Sequence, residues 1–139
     1  MQSCFLESEQ KKRFREGLNL IRRKDNSFMA QTFLLSCSKD LWRRAKDVLY
    51  SGGYVYDCMD LKNIHPNDYT LFCAAMDIQY GGHHCNVDDL SNDEVMDFDV
   101  FRAICYAVCI YVYGHDVVVI ANRRKRTRKK KPEVKYERD

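Results

Sequence analysis

A chain of 139 residues, 45% hydrophobic and 12% aromatic, is long enough for one domain with a core and too short for two comfortable ones. Its formal net charge of +3 hides three opposed blocks: residues 1–46 carry 11 Lys/Arg against 5 Asp/Glu, residues 47–122 carry 2 against 12, and residues 123–139 carry 10 against 3. The apolar content argues against a disordered body, and the longest apolar run, Ala103–Tyr113, falls short of the ~20 residues that cross a bilayer, so no membrane span is expected.

The first expected helix runs from about Leu6 to Lys24, with Phe14, Leu18 and Ile21 at i, i+4 and i+7 on an otherwise charged rod. It closes on Arg22-Arg23-Lys24, where the helix dipole favours cations. The same triplet is a candidate second phosphate-facing patch. Asp25-Asn26-Ser27 is a cap cluster opening a second helix, Phe28 to about Cys37. Ser38 caps a third, with Leu41, Ala45, Val48 and Leu49 as its stripe and Gly52-Gly53 as its stop. Trp42 sits at the edge of that stripe beside Arg43 and Arg44. An aromatic beside arginines suits base stacking, although a core position is the commoner fate of tryptophan.

Tyr54-Val55-Tyr56 reads as a short strand. His65-Pro66 opens the next helix, whose expected face is Tyr69, Phe72, Cys73, Met76 and Tyr80, ended by Gly81-Gly82. Ser91-Asn92-Asp93-Glu94 is a capping-box pattern opening a helix to about Tyr113, apolar almost all round after Asp99. Such a helix is expected in the middle of a bundle. Val117–Ile120 is β-branched and either pairs with Tyr54–Tyr56 as a two-stranded ribbon or extends the helical core. The expectation is thus a mainly α, single small helical domain over residues 1–122. It has four or five helices, at most one short ribbon, and a basic extended C-terminal arm over residues 123–139.

That arm is the strongest functional signal. Arg123, Arg124, Lys125, Arg126, Arg128, Lys129, Lys130 and Lys131 are eight cations in nine residues. A run like this repels itself and serves as an interaction arm for a polyanion. Phosphates of DNA or RNA are the expected partner, contacted without sequence specificity because flexible point charges read backbone and not base edges. Nuclear import and acidic lipid are the competing uses; no lipidation motif accompanies the run.

The acidic middle offers a protein-facing surface at Asp88, Asp89, Asp93, Glu94 and Asp97. One use is docking on a protein neighbour. Another is occupation of a basic groove on a nucleic-acid enzyme, as some anti-CRISPR inhibitors do, a likeness of physical type alone. The plainer reading is a solvated acidic face that balances the two basic ends of the same molecule, with carboxylates gathered at a helix start.

His83, His84 and Cys85, followed by Asp88 and Asp89, supply ligand types that zinc accepts, but no CxxC or HxxxH pair completes a zinc pattern. A polar loop is the commoner meaning. No glycine-rich phosphate loop, GxSxG or HExxH is present. The expected function is non-enzymatic and needs no cofactor: an assembly subunit of a nucleoprotein complex, of the virion, portal or ribonucleoprotein type. The alternatives are the inhibitor and a metal-dependent enzyme or zinc-binding domain built on the His83-His84-Cys85 loop. Seven cysteines at irregular spacing, with no cationic-then-apolar leader before Leu6, point to reduced thiols and an intracellular protein: cytoplasmic, nuclear in a eukaryote, or carried in a virion.

Overall fold

The computed structural model describes residues 8–20, 25–82 and 97–114. Among these lie five α-helices: α1 Ser8–Leu20, α2 Asn26–Leu35, α3 Lys39–Lys46, α4 Pro66–Tyr80 and α5 Phe98–Tyr113. A two-stranded antiparallel ribbon, β1 Leu49–Tyr50 and β2 Gly53–Tyr54, and a 3₁₀ turn at Tyr56–Cys58 complete them. The mainly helical architecture expected from the sequence is the one observed. No helix of the described residues is long and apolar enough to cross a membrane.

The centre of the body is α2. Eight consecutive residues, Phe28 to Leu35, are buried, and the helix packs most extensively on α5 and α4, then on α1 and α3. Asp25 caps it, its side chain accepting the Phe28 N–H. A helix enclosed on all sides must satisfy its polar side chains internally. Gln31 donates to Ser27 Oγ at 2.9 Å and Gln79 Oε1 at 2.8 Å, while Tyr56 donates to Gln31 Oε1 at 2.5 Å. Thr32 shares a hydrogen bond with the Tyr54 hydroxyl at 2.8 Å, and Gln10 Nε2 donates to Ser36 Oγ at 3.0 Å. These bonds tie α2 to α1, α4 and the ribbon. Around them pack Phe14 edge-on to Phe33 and Tyr54 stacked on Phe28.

Four expectations are corrected. The third helix stops at Lys46, not at Gly52, and hands Leu49 to the ribbon. β-branched Val48 and aromatic Tyr50 favour strand, and Gly53, at φ +123°, supports a tight reversal after Ser51-Gly52. The ribbon exists, but its register is Leu49 opposite Tyr54 and Tyr50 opposite Gly53. Val117–Ile120, the other candidate partner, lies outside the described residues. Tyr56 belongs to the 3₁₀ turn.

The expected apolar face of α4 is also rotated. Tyr69 and Tyr80 are exposed, and the buried positions are Asp68, Leu71, Phe72, Cys73, Ala74 and Ala75. The burial of Asp68 and the half-burial of Gln79 mark the true stripe, whose polar ends disguised it.

Finally, α5 is not the middle of the bundle. Val100, Ala103, Ile104, Ala107 and Ile110 are buried, while Phe98, Cys105, Val108, Cys109 and Val112 are exposed. Its described N-cap is Asp97, whose carboxylate accepts the Asp99 N–H at 2.8 Å; Ser91–Glu94 lie outside the described residues. Its C-terminus closes on Gly114 at φ +65°, against which Asn26 is packed while donating to the Tyr111 carbonyl at 3.1 Å.

Candidate nucleic-acid interface

Most of the residues singled out by sequence fall outside the described ones: Arg22, Arg23 and Lys24, the loop His83, His84 and Cys85, the acids Asp88, Asp89, Asp93 and Glu94, and the arm Arg123–Lys131. Asp97 is described, and its carboxylate is occupied in capping α5. No group of three His, Cys, Asp or Glu side chains among the described residues is placed to hold a metal ion. Desolvation pushes the Cys73 and Cys105 thiols up, away from thiolate character.

What the fold does bring together is a groove of mixed charge between α1 and α3, of about 760 Å³, lined by four cations and three carboxylates. Its walls come from two matched periodicities. Lys39, Arg43 and Lys46 recur at i, i+4 and i+7 on α3, and Glu9, Arg13 and Glu16 at the same spacing on α1. The cations of α3 were present in the sequence with helical spacing, but reading Arg43 and Arg44 as neighbours of Trp42 concealed the stripe. Arg44 itself turns inward. It is 7% exposed, donates to the carbonyls of Asp60 at 2.6 Å and Lys62 at 2.9 Å, and holds the segment after the 3₁₀ turn.

Trp42 is 2% exposed, so its ring is a wall and not a stacking platform for a base. Its Nε1–H donates to Glu16 Oε1 at 2.9 Å, and Lys46 Nζ donates to the other oxygen of Glu16 at 3.2 Å. The indole bond, then Lys46, hold the Glu16 carboxyl below its ordinary value against some desolvation. Asp40 is likewise held down, first by Arg43 at 2.6 Å and then by Arg44 at 2.9 Å. Arg13 donates to the carbonyls of Ser36 at 2.7 Å and Cys37 at 3.4 Å, closing the end of α2.

The groove is therefore largely compensated within itself. Arg43 and Lys46 are held by ion pairs and Arg13 by carbonyls, whereas Lys39 makes no ion pair to a described residue. An anion entering here competes with carboxylates already in place, which limits the groove to a supporting contact. Comparison with protein-family models, curated proteins and solved structures returns no match.

Proposed function

We propose that this protein is a non-enzymatic, intracellular or virion-borne subunit of a nucleoprotein assembly, and that its arm, Arg123–Lys131, binds nucleic-acid phosphates. The observation that carries the reading is the density of that tract, eight cations in nine residues, beside a body whose groove cations are mostly engaged by its own carboxylates and carbonyls. Charge that is not spent internally is what releases counterions on binding. Arg22, Arg23 and Lys24 with Lys39 add weaker contacts, and the acidic middle faces a protein neighbour.

The test is a titration of the full chain and of a 1–121 truncation against short DNA and RNA at several salt concentrations. Truncation is expected to abolish binding, and the logarithm of the full-chain affinity to fall with log salt by about 0.7–0.9 per phosphate contact. Lys39→Ala should lower that slope by about one and leave sequence preference unchanged. A full chain that ignores both nucleic acids at low salt sinks the proposal, and docking through the acidic segment then becomes the reading to pursue.

A further inference from the structure

The outward side of α5 is apolar except for one arginine. Phe98, Arg102, Cys105, Cys109 and Val112 follow one another at steps of four, three, four and three residues, the spacing of a helix-pairing seam. Phe98 is 66% exposed and Val112 58%, with Val108 at 48% and Tyr113 at 65% on the flanks. Both cysteines are exposed and free. Arg102, the single charge of the seam, lies 5.6 Å from the Phe98 ring, so its stem covers apolar surface as well.

We propose that this face is a self-complementary interface, on which a second copy of the chain packs its own α5 antiparallel, with the two-fold axis at Cys105.

Three observations select this occupant. From Phe98 to Val112 the face runs about 21 Å at the helical rise. The longest apolar run outside the described residues, Val117–Ala121, spans about 17 Å even when fully extended, and the chain beyond it is cationic. No apolar run outside the described residues is long enough to cover the face. Second, the apolar positions Phe98 and Val112 lie seven residues to either side of Cys105, and an antiparallel partner sets its small Cys109 near the long Arg102. An antiparallel pairing sets Phe98 opposite the partner's Val112 and lets the helices approach closely at the cysteines. A parallel pairing would stack Arg102 on its own copy, two like charges in an apolar seam. Third, the exposed area is sufficient. With about 200 Å² for each aromatic side chain, the face presents about 500 Å² per copy, or about 1,000 Å² buried in the pair, where specific interfaces begin.

The test uses the full chain without nucleic acid, so it is independent of the phosphate reading. Sedimentation equilibrium up to about 100 μM gives the oligomeric state, and a short bis-maleimide followed by peptide mapping gives the geometry. A dimer joined through Cys105 to the partner's Cys105 is expected. Cys105→Ser should remove the cross-link and keep the dimer. Val112→Glu, at an exposed position, should weaken association at least about tenfold with an unchanged far-UV circular dichroism spectrum. A monomer throughout overturns the proposal, whether the face is covered by another stretch of this chain or by a different protein. A dimer that maps to other residues and ignores Val112→Glu overturns it equally.

Discussion

Gly17 shows how much a missing side chain can decide. It is the buried point where α1 crosses α2 and α3, and a Cβ there would stand 2.5 Å from Thr32 Cγ2 and 2.6 Å from Trp42 Cη2. Neither neighbour is free to yield, since Thr32 is bonded to Tyr54 and Trp42 to Glu16. Alanine gains about 1 kcal/mol in helix propensity and meets an overpacking cost of about 1–3 kcal/mol. Gly17→Ala is expected to destabilise by about 1 kcal/mol net, or more if α1 lifts away. Urea denaturation checks this, and an unchanged or raised midpoint would show that α1 adjusts. From sequence Gly17 is only a weak place in a charged helix. Its meaning lies in residues 15 and 25 positions further along the chain.

Between α3 and α4 the elements are joined by one shared side chain. Ser38 Oγ accepts the Leu41 N–H at 3.2 Å as the cap of α3 and donates to Asp68 Oδ2 at 2.9 Å in the first turn of α4. Burial pushes the Asp68 carboxyl up, more than the Ser38 bond pulls it down. A raised folded-state value means that the folded protein prefers the protonated acid. Asp68 therefore adds stability at low pH that is lost as pH rises from the usual aspartate range of 3.8 through its raised value. Asp68→Asn keeps an acceptor for Ser38 without the charge. Its melting temperature should exceed that of the unaltered protein at pH 7, with the gap closing toward pH 3. Thermal melts across that range decide it, and a variant less stable at pH 7 would mean that the helix-dipole attraction of the carboxylate outweighs desolvation. Glu16 and Asp40 work in the opposite sense. Their values are lowered, so their contribution is present at neutral pH and lost as pH falls through those lowered values.

The same junction explains what was legible beforehand. Caps with local chemistry were readable: Asp25, Ser38, His65-Pro66 and Gly81 stand where the sequence put the helix ends. The face of α4 was not, because two of its stripe positions are Asp68 and Gln79, and only their partners Ser38 and Gln31 make them inward-facing. The burial of Arg44 and the outward side of α5 were hidden for the same reason. A long-range partner, or the lack of one among the described residues, outweighed the local pattern. Of the candidate site, the arm was plain as composition, whereas the α1–α3 groove needed two helices brought side by side.

At the scale of the molecule, the arrangement is a hub. Helix α2 is covered by four other helices, and its largest neighbour, α5, is also the last of them along the chain. Asn26 at its start meets the end of α5 across 85 positions of sequence. A chain stopped after residue 96 is expected to leave α2 open to limited proteolysis, where the full chain resists. Equal resistance of both would show that α1, α3 and α4 suffice. The same order has a consequence during synthesis. The most deeply buried helix leaves the ribosome early and its main cover arrives late. At ~5–20 residues per second, α2 waits roughly 4 to 16 seconds with one flank bare, an interval in which a nascent chain needs a chaperone or a quiet neighbourhood.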